Sequence, residues 1–210
     1  MKKLSVIIAT VLFSFGVAKT ISAQEINRGA TQVGIANSSV STGDDSNEAS
    51  HGVNINIPTV ALVDVEGVDG EATTVNLAPD VSALEAGEAV DFSDATDNSL
   101  WLNYTSIIAS DQDERNITAE IDGTLPAGIS LNLSAGGLST GNGNLGASAG
   151  TITLTTNGQN LVTGIGSGYT ESGFEKGHQL TYSLDMNNES YAALASGSYN
   201  VTVTYTITGN

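Results

Sequence analysis

Cysteine is absent from the 210 residues, which excludes disulfides, thiolate metal sites and cysteine nucleophiles. Basic residues are scarce: six Lys and Arg stand against 23 Asp and Glu, for a formal charge of −17. Phosphate binding needs clustered Lys and Arg, so this balance argues against nucleic acid as a partner. It argues equally against docking on anionic lipid. Long hydrophobic runs are missing beyond the N-terminus, and no later segment is apolar enough to span a bilayer. What remains is a chain with 40% hydrophobic residues, enough for a core, and a length that suits one domain or two small ones.

The N-terminus begins Met1-Lys2-Lys3, continues through an apolar run from Leu4 to Val17, and reaches Ser22-Ala23-Gln24. A basic start, a short hydrophobic stretch and a small residue before a polar one make a secretory signal, with cleavage expected after Ala23. The run is too short for a retained anchor, which needs ~20 residues. Cleavage leaves Arg28, Arg115 and Lys176 against all 23 acids, a mature charge of −20. The expected destination is the periplasm, the cell surface or the extracellular space.

Residues 24–52 are polar and weakly patterned and read as a flexible arm. From residue 53 to 210 the period is two. Val53, Ile55 and Ile57 alternate with Asn54 and Asn56 before Pro58, and Val60 to Val65 resumes an apolar strand. Val75 and Leu77 read as another short one. Alternation recurs at Ile117-Ala119-Ile121, Ile129-Leu131-Leu133, Leu180-Tyr182-Leu184-Met186 and Tyr199-Val201-Val203-Tyr205-Ile207. One apolar and one polar face per strand is the antiparallel signature, and Gly, Asn, Asp and Ser clusters punctuate the strands. Single helical turns are expected at Ser82–Glu85 and Asn188–Ala195. The fold class is all-β: an antiparallel, immunoglobulin-like β-sandwich, with a barrel or jelly roll as alternatives. No charged residue occurs from Gly123 to Thr170. Within that stretch Ala135 to Gly150 reads as a long loop or exposed hairpin leading to a strand at Thr151 to Leu154.

Two glycine motifs match by spacing and fail by context. Gly137-Leu138-Ser139-Thr140-Gly141 fits a nucleophile elbow, and Gly141, Gly143 and Gly146 fit a dinucleotide loop. Both chemistries need a helix afterwards, and none follows. His51 and His178 have no second His or Cys at ligand spacing, and no serine is marked as a partner for His178. No catalytic residue is therefore expected. Asp91, Asp94 and Asp97, spaced by three, and the cluster of Asp111 and Asp113 with Glu114 offer hard oxygen ligands for Ca²⁺, the one cofactor considered. The most distinctive segment is Ser99 to Ile108. Leu100, Leu102, Tyr104 and Ile108 take one face, and Trp101, Asn103 and Thr105 take the other. Trp101 with its amide and hydroxyl neighbours is the candidate platform for a sugar ring.

Residues 57–66, 99–106 and 199–208 resemble segments of exported β-sandwich proteins of Bacteroidota, a group that brings no activity with it. A looser likeness is to bacterial pilin and spore-coat-type subunits, whose secreted sandwiches also end in a long alternating Thr/Val/Tyr strand. The resemblance implies a non-enzymatic surface or extracellular protein of structural or adhesion type, with other subunits or surface glycans as partners. The alternatives are a carbohydrate-binding module using Trp101 and a secreted hydrolase. N-terminal sequencing of exported material should return Gln24 as the first residue; recovery of Met1 would refute the export signal.

Overall fold

The computed structural model describes residues 8–12, 18–22, 50–70 and 74–209. They fall into two units, Met1–Ile55 and Asn56–Asn210. In the first, β1 (Ile8–Leu12) and β2 (Ala18–Ser22) pair as an antiparallel ribbon. The ribbon lies within the segment read as the export signal. The Ala23 cleavage point and the arm as far as residue 49 lie outside the described residues.

The second unit is all-β and antiparallel. Its strands are β3 (Val60–Glu66), β4 (Thr96–Ile107), β5 (Arg115–Gly123), β6 (Ile129–Leu138), β7 (Asn142–Ser148), β8 (Thr151–Thr153), β9 (Gln159–Tyr169), β10 (His178–Met186) and β11 (Val201–Gly209). One layer runs β3-β4-β10-β6-β8 and the other β11-β5-β9-β7. The layers join where β4 meets β9, at Thr105–Tyr169 and Ser106–Gly168. They join again where the Ile121 N–H donates to the Thr155 carbonyl at 2.9 Å. The result is the sandwich expected from the period-two pattern.

The core follows directly from that pattern. Leu100, Leu102 and Tyr104 from β4, Ile117, Ala119 and Ile121 from β5, Leu131 and Leu133 from β6, and Leu180 and Tyr182 from β10 are all buried together. Each fully buried Leu or Ile among them contributes about 1.5–3 kcal/mol. Tyr182 and Tyr205 meet hydroxyl to hydroxyl at 2.5 Å, linking β10 in one layer to β11 in the other. A 3-10 turn at Asn188–Ala193 occupies the position of the second expected helical turn, and the Asn187 side chain caps it by accepting from the Glu189 N–H. Ser82–Glu85 forms plain turns instead of a helical one.

Three expectations change. Val53, Ile55 and Ile57 are in no strand and are 70%, 82% and 71% exposed. The reason is the register: β3 begins at Val60 opposite Ile107, where β4 ends, so no ladder continues for the residues before it. Val75 and Leu77 pack against the core without joining a sheet. The stretch read as a loop or hairpin contains β7, which pairs with β9 and not with its neighbour β6. Glycine concealed that strand. Gly143 has φ +97, and a Cβ there would fall onto the Ser167 carbonyl oxygen of β9, so only a bare backbone approaches this closely. Strand β9 itself, with Gly164, Gly166 and Gly168, is a further strand that the period does not mark.

Gly143→Ala should therefore destabilise the domain by more than about 1 kcal/mol in urea unfolding. Gly137→Ala, in open space on β6, should be neutral or slightly stabilising. Equal effects at the two positions would refute the close β7–β9 approach.

Candidate functional site

Alternation along β4 sends Leu100, Leu102 and Tyr104 into the core and Trp101, Asn103 and Thr105 to the outer face, as the sequence suggested. Neighbouring strands extend that face in rows. Leu62 of β3 lies opposite Thr105, and Tyr169 of β9 pairs with Thr105 from the other side. Asp64 lies opposite Asn103. Glu66 lies opposite Trp101, with Gln179 of β10 beyond.

The connection from β9 to β10, residues 170–177, bears on the same strand. Thr170 is fully buried. Its N–H donates to the Tyr104 carbonyl, and its Oγ1 accepts from the Tyr104 N–H at 2.9 Å. At the far end Gly177 has φ +70 and sits so near the Leu102 carbonyl oxygen that a Cβ would collide with it. Between these anchors Asn103 Nδ2 donates to the Gly173 carbonyl at 3.3 Å, and Phe174 meets Trp101 edge-on, centroids 6.4 Å apart at 78°. Lys176 and Glu171 form an ion pair at 2.9 Å on the loop surface. Phe174 and Glu66 carry no signal in the sequence. Their place here comes from a loop crossing and a strand register, neither of which a period reveals.

Two acceptors on this face have no donor. Asn103 is 4% exposed and Glu66 is 8% exposed, and the buried oxygens Asn103 Oδ1 and Glu66 Oε2 make no hydrogen bond. An unmet buried acceptor carries a desolvation cost, so such an atom calls for an explanation.

His178 begins β10 and points into the core, 2% exposed. Its Nδ1 lies 2.6 Å from the Gly136 carbonyl, which can only accept, so Nδ1 carries the proton. Its Nε2 lies 3.1 Å from the Tyr104 hydroxyl, whose single proton is donated to the Leu145 carbonyl at 2.6 Å. Both ring nitrogens are thus occupied, and no serine is among the partners. Ser139 of the elbow-like motif donates to the Glu175 and Gly177 carbonyls. Burial holds the imidazole below its ordinary value, opposed by the bond to Gly136. Burial likewise pushes the Tyr104 phenol well up.

The candidate calcium ligands are in turns. Asp91 accepts from the Ser93 N–H, which lowers its carboxyl below the usual value, and Asp97 accepts from the Ser99 N–H and hydroxyl. Asp94 accepts from the Asp80 N–H at 3.4 Å. Asp111 and Asp113 sit in the exposed turn between β4 and β5. Among the described residues no group of three His, Cys, Asp or Glu side chains is placed to hold a metal ion. Among the same residues no helix is long and apolar enough to cross a membrane. No family model matches the chain, nor does a curated protein or a solved structure.

The buried imidazole sets a pH dependence. His178 is held below its ordinary value when folded, so the unfolded chain binds more protons as pH falls. Its contribution is complete above the unfolded value of about 6.5 and declines below it. Urea midpoints measured from pH 8 to 5 should fall on the acid side in the native protein. In His178→Gln that step should be absent.

Proposed function

We propose that the protein is an exported, non-enzymatic structural or adhesion-type subunit that joins its copies by strand addition at the cell surface or outside the cell. The observation that carries this reading is the unpaired segment before β3. Val53, Ile55 and Ile57 alternate at strand spacing and are largely exposed, with Asn54 and Asn56 between them. Monomeric proteins seldom leave such a row uncovered.

A receiving edge accompanies the segment. Among the described residues β11 pairs only with β5, and β3 only with β4, so within them each leaves one side of its ladder open. The two strands approach each other, and their Val63, Val65, Val201, Val203, Tyr205 and Ile207 are only partly buried. An added strand supplies ladder hydrogen bonds, and its alternate apolar side chains cover such positions. The secretory signal supports export. The engagement of both His178 nitrogens in the core supports a non-enzymatic role.

Replacing Val53, Ile55 and Ile57 together by Asn tests the reading in the full mature chain. Each apolar side chain buried on association contributes about 1.5–3 kcal/mol, so self-association measured by light scattering should weaken by more than about 100-fold. The melting temperature should not change. A native protein that stays monomeric at millimolar concentration, or a triple variant that unfolds, would refute assembly through this segment.

A further inference from the structure

We infer that the outer face of β3 and β4, under the loop of residues 171–177, is a binding site for a neutral carbohydrate chain. This goes beyond strand-mediated assembly and uses the flat of the sheet, where assembly uses its edges.

The face gathers apolar surface that the fold itself does not need. Leu62 is 64% exposed, Tyr169 51% and Phe174 36%, and Trp101, in ring contact with Phe174, is half-buried. The Leu62–Thr105–Tyr169 row and the Glu66–Trp101–Gln179 row flank the Asp64–Asn103 pair. Trp101 and Phe174 stand nearly perpendicular, which makes a corner of one ring face and one ring edge. A pyranose ring has the matching surfaces, an apolar C–H face for an aromatic ring and a rim of hydroxyl groups.

The polar groups select the ligand further. Asn103 Oδ1 and Glu66 Oε2 are buried acceptors without donors, the first on the residue two along β4 from Trp101 and the second on the ladder partner of Trp101. A ligand that completes this face must bring hydrogen-bond donors. Hydroxyl groups do so without charge. An anionic ligand is opposed by the formal charge of −17. Two carboxylates beside this face are already engaged, since Asp64 Oδ1 accepts from the Val65 N–H at 2.8 Å and Glu171 is paired with Lys176, which leaves Glu66 Oε2 as the one a cationic ligand would contest and heptalysine tests. Asn103 Nδ2 is bonded to the Gly173 carbonyl at 3.3 Å, next to Phe174 on the covering loop, so a sugar hydroxyl that meets Oδ1 enters beside Phe174. Glu171 and Glu175 both take positive φ, at 73° and 64°, and Gly173 takes 117°. The covering loop therefore already holds backbone conformations that non-glycine residues seldom adopt.

Trp101 is the only tryptophan in the chain, so its fluorescence reports on this face alone. The mature protein is titrated with three soluble neutral polysaccharides, laminarin, mannan and xylan, and with heptalysine. The expected result is a saturable emission shift with at least one polysaccharide and none with heptalysine. Phe174→Ala should weaken that binding by roughly tenfold while moving the melting temperature by less than ~2 °C. Trp101→Ala, followed by affinity electrophoresis in the same polysaccharide, should abolish retardation. The triple Asn variant at positions 53, 55 and 57 should bind as the native protein does, which separates this site from assembly. No response to any of the three polysaccharides would overturn the proposal. So would a response to heptalysine in their place, or unchanged binding in Phe174→Ala.

Discussion

The fold turns on the double use of β4. One edge carries β3 from Trp101 to Ile107, while the other is shared by β10 as far as Leu102 and by β9 from Thr105. Between those two partners lies a gap at Asn103 and Tyr104 that no strand fills. Thr170 fills it, bonding both the N–H and the carbonyl of Tyr104 from a fully buried position. A buried backbone pair left open there would cost as much as losing hydrogen bonds outright. The threonine therefore fixes where β9 stops and where the chain must leave the ladder. The loop that departs from it has only the outer face of β4 to cross, and that is why Phe174 arrives on Trp101.

The same strand organises the inside. Tyr104 points inward beside His178, their rings stacked 5.9 Å apart, and its hydroxyl reaches the Leu145 carbonyl of β7. The imidazole in turn holds Gly136 near the end of β6. One buried tyrosine and one buried histidine thus tie β4, β6, β7 and β10 together at the place where the layers converge. In a core made mostly of aliphatic side chains, directional bonds of this kind select one arrangement over others of similar packing. The glycine-rich stretch without charge depends on that anchorage, because β7 has only Leu145 buried in the core.

Alternation of apolar and polar residues makes β4, β5, β6, β10 and β11 legible in the sequence, along with the outward direction of Trp101, Asn103 and Thr105. It fails in two opposite ways. At β7 and β9 glycine stands at ladder positions, removing the very side chains whose period is being read, although close backbone approach requires it there. At Val53–Ile57 the period is present and the strand is not, because pairing needs a partner and β4 ends at Ile107. The candidate site is half legible for the same reason. Trp101, Asn103 and Thr105 share a strand and so share a pattern. Leu62, Glu66, Tyr169 and Phe174 reach them through register and a loop, which are properties of the assembled sheet.

Strand β5 pairs along its whole length with β11, and β6 through β10 lie between them in the chain. Long-range pairing of this kind is slow to form, because the intervening loop must close before any contact stabilises it. Until β11 arrives, β5 carries an open ladder beside Ile117, Ala119 and Ile121, and Tyr182 lacks the phenol across the core. A ribosome emitting this chain therefore delivers a domain that stays incomplete through most of its synthesis. Under the proposed export that delay is an asset: the sandwich does not lock before its closing strand is through.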